Sequence, residues 1–237
     1  MSSPARGAAT HLVTGAGSGI GAALADRLHA RGDTLVLLAR SEDRGAELGA
    51  RYPGSQVLVA DLADPEAVAA LTGLPDELDS VHHVAGVVDL APVADQPLSQ
   101  LRAQVDVNLV APAVLTRLCL PAVRRTQGTF VFVNSSAGLA ASADWSAYAA
   151  SKFGLRGFAD SLRAEEVEQG VRVTSVFPSR TATPMQEKVH EQEGRTYDAS
   201  RWISPETVAE TILHVLDLPR DATIPEVTVR PVVPRAT

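Results

Sequence analysis

Tyr148 and Lys152 stand four residues apart in segment 145–169, whose apolar spacing is helical, so phenol and ammonium project from one face and can share a site. Such a pair alone is common by chance and is usually found at a surface. Here Ser135 stands thirteen residues before Tyr148, at the end of the short β-branched run 129–134. Strand ends are where an open α/β sheet places its ligand. Ser136 is an adjacent rival for that place.

A second cluster is the run Thr14-Gly15-Ala16-Gly17-Ser18-Gly19-Ile20-Gly21, between a strand-like run and a helical one. Backbone N–H groups and a helix N-terminus can meet a pyrophosphate there. Glycines also serve turns without any ligand, but the strand-turn-helix context points to a dinucleotide site. After Leu37-Leu38-Ala39 comes Arg40, where an NAD enzyme would place a carboxylate against the ribose 2′-hydroxyl. A guanidinium suits a 2′-phosphate, so NADP(H) is expected over NAD(H); the alternative is an ordinary surface arginine. Asp61, with Leu62 beside it, could accept from an adenine amino group or simply shape the turn before Asp64-Pro65.

These residues need a scaffold. Short β-branched and leucine-rich runs recur at 10–14, 34–39, 56–60, 80–84, 129–134 and 172–177, and helical spacing fills 20–31, 67–71, 98–125 and 145–169. The alternation predicts an α/β fold with a doubly wound parallel sheet and helices on both faces, in a single domain spanning 1–237. Asp64-Pro65 and Ser204-Pro205 read as helix caps followed by first-turn prolines, and 227–233 could add an edge strand. Segment 179–203 lacks clear structure and carries Met185, His190, Tyr197 and Trp202. It is expected to be a substrate lid.

With 237 residues, 45% of them hydrophobic, the chain can bury one large core. A net charge of −7 argues against nucleic acid or an anionic membrane as main partner. Residues 1–10 have no apolar core of a secretory signal, and no run approaches a membrane span of about 20 apolar residues. The single cysteine, Cys119, lies in the apolar run 114–123, as a buried thiol in a reducing compartment would. A cytoplasmic protein without a metal site is expected.

Taken together, the motifs resemble those of the short-chain dehydrogenase/reductase family, over nearly the whole chain. Thr14-Gly-x-x-x-Gly19-x-Gly21 resembles its nucleotide turn, Asn108 its helix-four asparagine, Ser135 its serine and Tyr148-x-x-x-Lys152 its signature pair. The resemblance implies a Rossmann fold and an NADP(H)-dependent enzyme interconverting an alcohol and a carbonyl, with Asn108, Ser135, Tyr148 and Lys152 catalytic. It implies cofactor contacts from Gly15, Gly17, Ser18, Gly19, Ile20, Gly21, Arg40, Asp61, Leu62, Ala85, Gly86, Tyr148, Lys152, Pro178, Thr181 and Thr183. Tyr148 would exchange the proton, its phenolate favoured by the Lys152 ammonium and the oxidised nicotinamide. Ser135 would hold the substrate oxygen, and Asn108 would organise a water chain relaying the proton through Lys152. A homodimer or homotetramer and a small, hydrophobic carbonyl or alcohol substrate are also implied.

Two positions depart from the family. Its Asn-Asn-Ala-Gly is His83-Val84-Ala85-Gly86 here, and the glycine after Pro178 is Ser179. His83 is expected to serve as local scaffolding. The departures keep open a cofactor-binding sensor without turnover, beside an NAD-linked dehydrogenase.

Overall fold

The computed structural model describes residues 8–232. Residues 1–7 and 233–237, with the beginning of the stretch searched for a signal and the last residue of the proposed edge strand, lie outside them. The chain runs β1 (Thr10–Thr14), α1 (Gly19–Ala30), β2 (Thr34–Ala39), α2 (Glu42–Arg51), β3 (Gln56–Val59), α3 (Pro65–Ala69) and β4 (Ser80–His83). It continues through α4 (Leu98–Val105), α5 (Ala111–Thr126), β5 (Thr129–Val133), α6 (Ser146–Glu166), β6 (Arg172–Pro178), α7 (Pro184–Gln192), α8 (Pro205–Leu216) and β7 (Glu226–Val229).

All strand pairs are parallel, in the order β3-β2-β1-β4-β5-β6-β7. Successive strand residues point to opposite faces, and both faces are apolar. Leu12, Val36, Leu38, Phe130 and Phe132 join α5 and α6 residues such as Leu115 and Leu155 in one core. Val13, Leu35, Leu37, Val131 and Val133 join Leu24 and Leu28 of α1 and Ile212 of α8 in the other. The chain reverses its direction of travel across the sheet at β1 and β4, which opens a crevice beyond their carboxyl ends.

Three expectations about elements change. Segment 179–203 contains a helix, α7, whose N-cap Thr183 accepts from the Gln186 N–H ahead of Pro184. Its sequence PMQEKVHEQ buries only Gln186, Val189 and His190, so apolar spacing did not reveal it. The polar α2 was overlooked likewise, since only Gly45 and Leu48 of its residues are buried. The stretch 98–125 is not one regular helix but α4 and α5 joined through a π-helical turn, Asp106–Val110. The combined stretch Leu98–Thr126 is long and apolar enough, by length and composition, to cross a membrane. Its Ala111, Leu115, Cys119 and Val123 belong to the core against the sheet, which explains that apolarity.

Candidate active site

A cleft of about 690 Å³ opens over the carboxyl ends of the strands. It is lined by the whole Gly15–Gly21 turn, Arg40, Asp61, Leu62, Ala85, Gly86, Ser135, Tyr148, Lys152, Pro178, Thr181 and Thr183. Of the catalytic and cofactor-contact residues that the family resemblance implies, Asn108 alone does not line the cleft.

The glycine turn is shaped first by the protein's own packing. Gly15 has φ +73°, and a Cβ there would lie 2.9 Å from the Ala85 backbone, while one on Gly21 would run into the Gly15 carbonyl. The Thr14 hydroxyl fastens this contact by accepting from the N–H groups of Val84 and Ala85, at 3.0 and 3.1 Å. Ser18, the N-cap of α1, is extended and makes no side-chain capping bond. A ligand can therefore take the place of a cap on the first-turn N–H groups. The turn and the uncapped helix end fit the pyrophosphate of a dinucleotide.

At the mouth, exposed Arg40 follows β2. Arg44 of α2 also lines the cleft, and its Nη2 lies 2.9 Å from where a Cβ on Gly17 would stand. Sequence reading missed Arg44, although its position one turn after Arg40, behind the capping Ser41, was available as a signal. Asp61 accepts from Ala63 N at 2.9 Å and so does shape its turn, while still lining the cleft.

Ser135 follows the end of β5 by two residues and caps a short 3-10 turn, its hydroxyl accepting from Ala137 N at 3.1 Å. It lines the cleft together with Tyr148, whose phenol it draws toward ionisation, whereas Ser136 does not line the cleft. Burial pushes Tyr148 up to about 12, with Ser135 pulling the other way. Burial pushes the Lys152 ammonium down to about 8. The expectation of a phenolate favoured by Lys152 is thus not met by the chain alone, because both groups sit where desolvation penalises their charged forms. Lys152 Nζ lies 5.7 Å from the centre of the Tyr148 ring and donates to Val133 O at 3.0 Å.

Behind them, two asparagines brace the site. Asn134 donates to Lys152 O at 3.0 Å and accepts from Ser135 N at 2.8 Å, fixing α6 against the end of β5. Asn108 sits in the π-helical turn, where inserted residues often mark functional sites. It donates to Val87 O and to Ser151 Oγ, and accepts from Val87 N, at 2.9, 3.0 and 2.9 Å. Ser151 in turn donates to Tyr148 O at 2.7 Å. Asn108 therefore positions Tyr148 through Ser151. Neither Asn134 nor Ser151 was singled out in the sequence, since only contacts across the fold reveal them.

His83 points away from the cleft. It stacks on Phe132 with ring centroids 4.8 Å apart and bonds Thr116 Oγ1 at 2.9 Å, with burial holding it neutral at about 3. The scaffolding reading of this departure holds. Pro178, Thr181 and Thr183 do reach the cleft, and Ser179, Met185 and Gln186 line it beside them.

The short chain dehydrogenase family model matches residues 9–194. An oxidoreductase of Staphylococcus saprophyticus is 29% identical over 232 residues, covering 93% of this chain and 96% of its own length. Among solved structures, a short chain dehydrogenase from Escherichia coli CFT073 complexed with NADPH superposes with a TM-score of 0.83 at 29% identity, covering 94% of this chain and 97% of its own. One from Shigella flexneri complexed with NADP gives 0.82 at 28%, covering 93% and 96%. This chain belongs to the short chain dehydrogenase family of oxidoreductases.

Proposed function

We propose that this oxidoreductase interconverts an alcohol and a carbonyl compound with NADP(H), acting in the cell as a carbonyl reductase, with Tyr148 as the acid and base. The carrying observation is that Ser135, Tyr148 and Lys152 share one cleft with the uncapped glycine turn. The turn and the start of α1 would hold the pyrophosphate. Arg40 and Arg44 would face a 2′-phosphate, and the NADPH and NADP of the two solved relatives support that preference. Once bound, the cofactor supplies the hydride and, in its oxidised form, a positive charge.

Negative charge develops on a carbonyl oxygen as its carbon is reduced, and a positioned donor must stabilise and protonate it. Ser135 would bond that oxygen while Tyr148 delivers its phenolic proton. A phenol held up to about 12 is fully protonated near neutrality and ready to act as the acid. Lys152 would resupply the proton to the phenolate, and Asn108, through Ser151, would keep the tyrosine in place. In the oxidative direction Tyr148 would first give up its proton by way of Lys152 and then, as the phenolate, take the proton of the alcohol.

The same reading expects one catalytic domain, a hydrophobic substrate with 179–203 as its lid, and a cytoplasmic homodimer or homotetramer. To test it, ketones, aldehydes, quinones and 3-oxoacyl thioesters are screened for oxidation of NADPH and of NADH. Turnover preferring NADPH supports the proposal. Tight NADPH binding without turnover on any class would favour a sensor, and equal use of both cofactors, unaffected by Arg40→Ala, would defeat the cofactor assignment.

A further inference from the structure

Trp145 stands edge-on against Tyr148, with ring centroids 5.7 Å apart. It belongs to an apolar cluster with Val88, Ala137, Met185 and Val189. Behind it lies the Arg180 guanidinium, 5.9 Å from the Trp145 ring centre and 5.6 Å from that of Trp202. Both carboxylate oxygens of Glu193 grip that guanidinium at 2.8 and 2.5 Å. Arg180 thus spends its fork on a carboxylate and its faces on two indoles. Lys188 is spent on Asp89 and Val88 O, and Arg195 lies 3.9 Å from Glu193 as well.

We propose that Trp145 is the specificity-determining wall beside Tyr148, held there by the Arg180–Glu193 pair, and that the site takes an uncharged carbonyl compound with an apolar or aromatic substituent. The proposal rests on the oxidoreductase reading of Tyr148. A carboxylate on the substrate would be desolvated against Trp145 and Met185, the member of this cluster that lines the cleft beside Tyr148, with the nearby cations already neutralised by Glu193 and Asp89. That burial is unfavourable without a partner charge.

Acetophenone and phenylglyoxylate, which differ in carrying a methyl or a carboxylate beside the same aryl ketone, make the test. NADPH-dependent kinetics are measured for the wild type, Trp145→Ala, Trp145→Phe and Glu193→Gln, together with ligand quenching of tryptophan fluorescence, to which both Trp145 and Trp202 contribute. The wild type is expected to favour acetophenone by at least about tenfold in kcat/KM. Trp145→Ala should raise its KM about tenfold with little change in kcat, an effect in the range of a lost apolar pocket contact. Trp145→Phe should largely retain the wild-type KM, and Glu193→Gln should narrow the preference by freeing Arg180. Normal turnover with an unchanged KM in both tryptophan variants, or a wild-type preference for phenylglyoxylate, overturns the proposal and leaves the oxidoreductase reading standing. If neither ketone turns over, quenching by acetophenone alone that Trp145→Ala abolishes upholds the pocket, and the oxidoreductase reading is decided separately by the wider screen of carbonyl classes; absent quenching overturns the proposal.

Discussion

The two ends of the same strands bury polar groups in opposite arrangements. At the amino end of β1 and β4, Ser80 Oγ lies 2.6 Å from His11 Nδ1 and 2.6 Å from His82 Nε2, and His11 Nε2 lies 3.3 Å from Asp33. One proton assignment satisfies the set. His11 donates from Nε2 to Asp33, its Nδ1 accepts from Ser80, and Ser80 accepts from His82 Nε2. Only His82 Nδ1 is left buried without a partner. At the carboxyl end, Ser135 and Tyr148 face one another on an open cleft, and Lys152 commits a bond to Val133. A serine, two histidines and an aspartate thus form structure at one end, while a serine, a tyrosine and a lysine form a candidate site at the other. What separates them is access. Ser80 is fully buried and no part of the large cleft reaches it.

The largest expected effect lies at the carboxyl end. Tyr148→Phe should lower kcat by about 10²- to 10⁴-fold, the usual worth of a positioned acid, while thermal unfolding shifts little. A loss of both activity and stability would blur the distinction between the two ends. Next, replacing Arg40 and Arg44 together by alanine should weaken NADPH binding by about 10- to 100-fold, the scale of lost hydrogen bonds to a charged group, and leave NADH affinity unchanged. Isothermal titration with both cofactors measures this.

At the amino end the expected effects are on stability alone. Ser80→Ala leaves His11 Nδ1 and His82 Nε2 without their shared partner and should cost about 1–3 kcal/mol in denaturant unfolding, with KM unaltered. Acid should act there as well. Burial holds His83 at about 3, His82 well below its ordinary value and His11 below 6.5. Each is neutral when folded and gains a proton more readily when unfolded. Their contribution is therefore complete above pH 6.5 and is lost as pH falls toward about 3, with His83 alone costing about 2 kcal/mol between pH 6.5 and 5. His83→Asn should flatten that slope in unfolding curves recorded across this range, and an unchanged slope would mean that His83 does not carry it.

The sheet was legible because parallel strands buried on both faces are continuous apolar runs: β1 and β2 fall at the expected residues and β3 to β6 shift by one residue at their carboxyl ends, whereas the half-exposed edge strand β7 stops at Val229, well short of the expected 233. The cleft residues were legible because their spacing is set by short local elements, the turn after β1 and one helical turn of α6. What escaped depends on distant contacts or on polar surfaces. Helices α2 and α7 bury too little to leave a periodic trace. Asn134 and Ser151 act only through partners across the fold. The Tyr148 phenol was expected to be pulled toward its charged form by the Lys152 ammonium together with the oxidised nicotinamide; in the chain by itself burial, which no spacing rule reports, governs both side chains.

The most direct test of the central claim supplies NADPH deuterated at the transferable position of its nicotinamide, together with a carbonyl substrate found in the screen, and follows the product by mass spectrometry. The wild type should place one deuterium on the carbinol carbon, at a rate that Tyr148→Phe lowers by about 10²- to 10⁴-fold while still binding NADPH. Product without deuterium, or a Tyr148→Phe variant that forms labelled product at the wild-type rate, would contradict the account.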